Sequence, residues 1–585
     1  MNKAPEVKKI DFVRSDGTAR TTNIFPVEAD ISGLDDAELQ VAGNLVAASD
    51  SIAGIFADQN DPHSIETLRE LEAAESLLRG DDREKLADYN TLFAMRNSRW
   101  DFADGLGFRL PISESVARGV MSPSVLERLL SDTRASDRRN FYPADMTEEE
   151  YESLGKDAEI VNSRVIRAGN DVRAVLNEDY YADKLNSAIG FTDKAARRTE
   201  DPDFKIYLST KLRELSYGRS SDRDASSIAW LKNNGRLDFI MGTAIEQYLD
   251  KHKGIRGAAQ SAVLVQREDF RALCRQVEAI LPELEERAPW THKRDIDPSK
   301  IPNMKFVDVL SWNGFYDHFP FLTSAQSLPN EEDIRQRHGS VNFVYVNVIE
   351  AAGKYGSDRQ RAVEFLPRSA LPIMNTTTGI KMTALHEIGH ATGGMAITEE
   401  PSAYFGSDNS ILEEARAEVF SMWAAPICIE KGIMKPEEEL SGYYTMLNLM
   451  IRELERKPVD HRGSRNMMFH YFLKAGAIRE IEEDSRTKYA VSVPEMRQAV
   501  PELLMTLGNV RATGDREGLA RLISEYISTE RQDNLRQRMM SFPMGGGIIF
   551  PNLGFEGGRF TRNLSYPSEY REQPKTLSAK RRPLF

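Results

Sequence analysis

Residues 386–390 read His-Glu-Ile-Gly-His, and residues 410–420 read Ser-Ile-Leu-Glu-Glu-Ala-Arg-Ala-Glu-Val-Phe. These two stretches constrain the fold more than anything else in the chain. Two histidines four apart share one face of a helix, one turn from each other, where both rings reach a single metal ion. Between them, Glu387 points beside that axis, toward the water such an ion activates. A carboxylate there can take the water's proton as it attacks a carbonyl. The surroundings fit a helix. Thr376, Thr377 and Thr378 precede it as candidate caps, Met382 and Leu385 supply apolar positions, and Gly393-Gly394 can stop it.

The second stretch also has helical spacing and is expected to end before Pro426. Glu414 and Glu418 lie one turn apart on one face, and Glu414 follows His390 by 24 residues, enough for a second helix to bring a carboxylate back to the metal. Standing alone, Glu414 and Glu418 would read as a solvated face with Arg416 among its charges. Glu413 would read as half of a capping box with Ser410. Behind a histidine-glutamate-histidine helix the balance changes. Three protein ligands with a fourth position open is the pattern of catalytic zinc. The expectation is one Zn2+ per chain on His386, His390 and Glu414, with Glu387 as general base. Glu413 and Glu418 then stand ready to accept the free ring N–H groups and fix their tautomers.

The chain has 585 residues, more than one compact core usually holds, so two or more domains or lobes are expected. Its hydrophobic share of 41% allows sizeable cores, and its net charge of -14 argues against a nucleic-acid surface. The basic tail at Lys580, Arg581 and Arg582 reads as solvated. Cys274 and Cys428 are too few for a disulfide framework or a cysteine zinc site. The first ten residues lack an apolar core of signal-peptide type, and no apolar run reads as a bilayer span, so the cytoplasm is the expected location and no membrane partner is expected.

Periodicity reads as mostly helical. The stretch 34–78 is helical with a break near Asp61-Pro62, and 146–163 and 180–215 look alike. Ala262 to Gln266 and Val341 to Val348 read as strands. Boundaries are expected at Pro289 to Pro302 and at Phe542 to Gly558, and the last ten or so residues look poorly tied down.

With both motifs in hand, the chain resembles bacterial members of the dipeptidyl peptidase III family of zinc metallopeptidases, peptidase family M49. Further stretches are similar to the family: 140–149 (NFYPADMTEE), 245–257 (IEQYLDKHKGIRG), 328–339 (LPNEEDIRQRHG) and 461–476 (HRGSRNMMFHYFLKAG), with 514–526 and 547–553 matching more loosely. The resemblance implies a mainly helical α+β fold of two lobes with a cleft between them. A helical upper lobe would carry zinc, and a lower lobe would contain a small β-barrel. The division expected is 1–265 for the lower lobe, 266–540 for the catalytic lobe, and 541–585 returning to the lower lobe with a flexible tail.

The resemblance also implies roles. Glu414 is the third ligand, with Glu413 and Glu418 supporting the ligand set. Tyr248 and His461 donate to the developing oxyanion, as a tetrahedral intermediate requires. Glu246 and Asn330 match two groups that hold the substrate's amino terminus. Gln260 stands where a second glutamate is expected and Ser327 where another asparagine is expected, which weakens ammonium capture. The zinc motif has the five-residue form rather than the family's usual six, a form some bacterial relatives share. The expected activity is hydrolysis of amide bonds in short peptides. The rivals are the same scaffold acting on a non-peptide small molecule by hydrolysis or lyase chemistry, a catalytically silent peptide-binding protein, and a nucleic-acid-associated zinc protein, against which the acidic balance counts. The oligomeric state is not legible.

Overall fold

A computed structural model of the chain describes residues 7–100, 105–131, 140–249, 255–294, 303–317, 323–394, 404–454, 458, 460–540, 542–543, 547–549, 552–556 and 559–563. The fold is mainly helical α+β. It opens with a hairpin, β1 (Lys8–Val13) and β2 (Ala19–Pro26), followed by α1 (Asp36–Asn60) and α2 (Ser64–Leu77). The break between these helices falls at Asp61-Pro62, as the sequence predicts. Asp35 starts α1 with a full capping box against Glu38.

The reading of 146–163 as one helix is corrected. Only Glu148–Ser153 and the short turn Gly155–Glu159 are helical, and a strand begins at Ser163. The stretch 180–215 holds two helices, α3 (Ala182–Arg198) and α4 (Pro202–Tyr217). Pro202 sits in the first turn of α4 and Asp201 caps it, which divides the two. Then come α5 (Ser220–Trp230), the long antiparallel strands β3 (Leu237–Leu249) and β4 (Ile255–Gln266), and α6 (Glu268–Arg287). Next are β5 (Asn303–Gly314), β6 (Ala325–Leu328) and β7 (Val341–Tyr345).

β3 to β7 form a five-stranded sheet in the order β3-β4-β5-β7-β6. Its β5–β7 pair is parallel and the other pairs are antiparallel. The sheet curls into a half-barrel. Side chains from its two edge strands meet, Gln326 of β6 donating to Glu246 of β3 at 3.0 Å. α1 packs on this sheet, and α3 packs on α1 and α4, around a core that includes Ile52, Phe56, Leu208, Phe239, Val263 and Phe343. By length and mean hydropathy α1 is apolar enough to cross a bilayer, contrary to the reading that no run qualifies, and its apolar residues are covered by the sheet and α3.

The reading of 341–348 as one strand is also corrected. The strand stops at Tyr345 and α7 (Val346–Tyr355) begins at once. α7 belongs to two cores: Val346 packs into the helical core, and Val348 and Ala351 into the core behind the sheet. The helical core is built by α6, α8 (Thr376–His390), α9 (Asn409–Glu430), α10 (Glu437–Leu454), α11 (Asp460–Lys474) and α12 (Val493–Thr513). α9 runs through Pro426, where an end was expected. Residues 547–549 pair in parallel with β2. Residues 295–302 lie outside the described residues, as do 541, 544–546, 550–551 and 557–558 and the basic tail.

Candidate metal centre

α8 begins at Asn375, whose side chain accepts the N–H groups of Thr377 and Thr378. The cap is therefore the residue before the three threonines, where a short amide reaches two orphan donors at once. The helix ends at His390, and Gly393, with φ of +76°, turns the chain away. Inside the motif, Gly389 has a packing reason. A Cβ there would meet the backbone of Ala417 at 3.1 Å and the Phe420 ring at 3.1 Å. Its bare backbone lets α8 lie directly on α9, which brings the glutamate of one helix to the histidines of the other.

The three expected ligands converge. Nε2 of His386 lies 3.2 Å from Nε2 of His390. The Glu414 carboxylate oxygen is 3.3 Å from the first ring nitrogen and 3.8 Å from the second. Tetrahedral zinc with bonds of about 2.0–2.1 Å separates its ligand atoms by about 3.3 Å, so this donor set has the span and chemistry to hold one ion. Among the described residues it is the group of His, Cys, Asp and Glu side chains so gathered.

The charge states fit a ligand set. Burial opposes protonation of His386, but the hydrogen bond its ring donates to Glu414 and the charges of Glu418, Glu387 and Glu414 outweigh it and raise the ring's pKa. His390 is pushed down to about 4 by burial and by the neighbouring His386. At neutral pH the His390 ring is thus already in the neutral form that binds metal.

Glu413 and Glu418 are each held by arginine. Glu413 accepts from Arg416 at 2.9 Å and from Arg511 of α12 at 2.5 Å. Arg416, which would read as part of a solvated face if its stretch stood alone, is fully buried and caps the motif helix. It donates to the carbonyls of Gly389 at 2.8 Å, Thr392 at 3.0 Å and His390 at 3.3 Å. One buried cation thus satisfies the orphan carbonyls where the ligand helix ends. Glu418 accepts from Arg465 at 2.7 Å and acts on His386 through its charge. Arg465 also fastens the first turns of α11 to α9. His461 lies on that helix one turn earlier, and its side chain is outside the described residues.

The Arg416–Glu413–Arg511 cluster carries a pH prediction. Burial alone would raise the Glu413 carboxyl, but the two guanidinium charges win and hold it at about 2, against an ordinary value of 4.5. A depressed carboxyl stabilises the fold above its unfolded pKa and loses that contribution as pH falls. We expect a loss of roughly 3 kcal/mol between about pH 4.5 and pH 2, and Glu413→Gln should flatten that part of the profile. Chemical denaturation across this range measures it. An unchanged acid profile in the variant would show that the cluster does not couple to folding.

On the sheet side, Asn342 of β7 donates from Nδ2 to Oε2 of Glu387 at 3.0 Å. It stands opposite Ser327 in the β7–β6 register. Sequence reading missed Asn342. The available signal was one polar residue in the otherwise apolar run Val341 to Tyr345, at a position that alternation alone does not assign to a site.

The remaining expected residues fall in two groups. Glu246 and Gln260 lie inside the half-barrel, joined through Gln326. Gln260 donates to Oε1 of Gln326 at 3.1 Å, and Tyr345 donates to the same oxygen at 3.2 Å. Gln260 is fully buried there. Burial raises the Glu246 carboxyl, and the hydrogen bond from Gln326 works against the rise. Asn330 donates to the carbonyl of Ile245 at 2.8 Å, which turns its own amide oxygen away from the strand. The backbone of Tyr248 lies in β3 opposite Arg256, and its side chain is outside the described residues.

Comparison with known proteins adds four findings. Residues 153–426 match the model of peptidase family M49. "Nudix hydrolase 3" of Arabidopsis thaliana is 23% identical over 370 residues, 62% of this chain and 46% of that protein, so the chain spans about half the length of the curated relative it matches. The solved structure of DPP III from Caldithrix abyssi is similar, with a TM-score of 0.76 and 22% identity over 90% of this chain and 97% of that one. The structure of dipeptidyl-peptidase III from Corallococcus sp. strain EGB follows, with a TM-score of 0.65 and 19% identity over 90% and 94% of the two chains.

Proposed function

Because the chain belongs to peptidase family M49, we propose that it is a zinc-dependent hydrolase that cleaves amide bonds near the free amino terminus of short peptides. The observation that carries this reading is the triangle of His386, His390 and Glu414 donors at tetrahedral ligand spacing, with Glu387 in the same helix turn. A zinc ion held there supplies Lewis acidity, activating water and polarising the scissile carbonyl.

The rest is done by the chain's own groups. Glu387 takes the proton from the attacking water and returns it to the leaving amine. Asn342 holds the Glu387 carboxylate through one oxygen. Tyr248 and His461 are assigned to the oxyanion. Glu246 and the amide oxygen of Asn330 are assigned to the substrate's ammonium. The plant relative's name does not move this reading, since the match spans less than half of that protein.

Two expected outcomes test it. A charge-assisted hydrogen bond is worth about 1.5–3 kcal/mol, so acetylating a dipeptidyl arylamide should lower kcat/KM by roughly 10- to 150-fold. Equal rates on free and acetylated substrates would remove Glu246 and Asn330 from substrate binding. No cleavage of either, with zinc bound, would transfer the site to a non-peptide substrate, the reading that Gln260 and Ser327 favour. Asn342→Ala should lower kcat by about tenfold or more with zinc content unchanged, because Glu387 loses its donor but the ligands do not. Equal kcat in variant and wild type would show that the base needs no such support.

A further inference from the structure

Away from the metal centre, a cavity opens between α4, α5, strand β3 and the turn at Leu328 to Glu331. Its walls carry Trp230, Ile240 and Leu328 beside an unusual set of charges. Lys211 and Glu214 are buried and paired with each other at 2.5 Å. Glu178 is buried and accepts from Thr243 at 2.6 Å and Asn162 at 2.9 Å, both neutral donors. Among the described residues no cation pairs with it. Arg223 projects from α5 into the same cavity, and its side chain has no acceptor among the described residues. Ser226, one turn on and fully buried, also lines the cavity, and its hydroxyl has no partner.

One cavity therefore holds a buried acid and a guanidinium that leave each other alone, next to an unsatisfied buried hydroxyl. Leaving such groups unpaired is costly, and a molecule that pairs both would recover that cost. The acid calls for a cation, Arg223 and Ser226 for a planar anion, and the apolar wall for a hydrocarbon side chain. We propose that this cavity is a binding site for a small zwitterion, an apolar amino acid or dipeptide. Its ammonium faces Glu178 and Glu214, and its carboxylate faces Arg223 and Ser226. Burial, reinforced by the nearby Glu214 charge, raises the Glu178 carboxyl to about 7, as expected for an acid whose natural partner is a bound cation. Asn330 lines the cavity and is bonded to Ile245 of β3, so an occupant here touches the turn that carries a proposed substrate anchor. On the peptidase reading the reaction's own products belong to this ligand class, but binding itself does not depend on that reading.

Isothermal titration of the full-length, zinc-loaded protein with L-leucine and L-leucyl-L-leucine tests the proposal. N-acetyl-L-leucine and L-leucinamide, each lacking one charge, serve as controls. The expected result is saturable binding of both zwitterions and at least about tenfold weaker binding of each control, since one charged hydrogen bond is lost in each. Arg223→Leu and Ser226→Ala should weaken binding. Absence of binding in the wild type would overturn the proposal. So would equal affinity for leucine and both controls, which needs no variant to fold. Loss of binding in Glu246→Ala with wild-type affinity in Arg223→Leu would place the ligand in the half-barrel and overturn the cavity assignment. If the zwitterions bind as expected while dipeptidyl arylamides go uncleaved, the peptidase reading alone fails.

Discussion

Glu387→Gln is expected to lower kcat by about 10²- to 10⁴-fold while the protein keeps its zinc and its thermal stability. The reasoning is geometric. Glu387 is not one of the three donors that converge within 4.8 Å, so neutralising it leaves the ligand set intact. The amide keeps the shape of the carboxylate, and its oxygen can still accept from Asn342, so the local packing is preserved. What is lost is a group that can carry a proton. Steady-state kinetics beside elemental analysis of the same sample separates the two roles. Turnover near the wild-type value with full zinc would show that another group is the base. Turnover lost together with zinc would make Glu387 a structural part of the centre rather than its base.

The candidate metal centre was legible because its chemistry is local in sequence. A spacing of four puts two rings on one helix face whatever the rest of the chain does, and the second motif needed only a neighbouring helix. The neighbour's distance was not legible. It depends on Gly389, whose missing side chain admits the backbone of Ala417. Arg416 was given no role from sequence for a related reason. In the linear pattern it is one charge among several, and only the end of α8, folded against α9, shows that it faces three carbonyls that need a donor.

Where element boundaries were misplaced, packing overrode local preference. The β-branched run from Val341 to Val348 reads as one strand, but Val346 and Val348 are buried in two different cores, and only a helix can present them so. Pro426 was read as a stop, yet Ile427 and Cys428 beyond it are buried in the same core, and their packing carries α9 past one missing hydrogen bond. Residues 146–163 contain acidic helix formers with too few apolar positions to bury, and the helix there lasts six residues. The polar interior of the half-barrel was the least legible part. Glu246, Gln260 and Gln326 meet only because the sheet's edge strands curl toward each other. Nothing in the spacing of residues 246, 260 and 326 encodes that approach.

The second large effect is expected at Glu414. Replacing a residue that merely supports a ligand typically costs 10- to 100-fold in metal affinity. Removing a ligand should cost more, because two imidazoles without a carboxylate leave the ion with half a coordination shell and more positive charge to bear. Glu414→Ala should therefore weaken zinc binding by more than about 10²-fold and reduce turnover to background. Glu418→Gln, which removes one acceptor of Arg465 and one charge acting on His386, should fall within the 10- to 100-fold range. The ordering of the two variants is the informative result, and competition with a chromophoric chelator measures both on one scale. The zinc-free proteins should differ little in fold, since the substitution leaves the packing of α8 on α9 at Gly389 in place. A Glu414→Ala protein that binds zinc as tightly as the wild type would place the third ligand elsewhere, and the spacing of the three donor atoms would then be a coincidence of two packed helices.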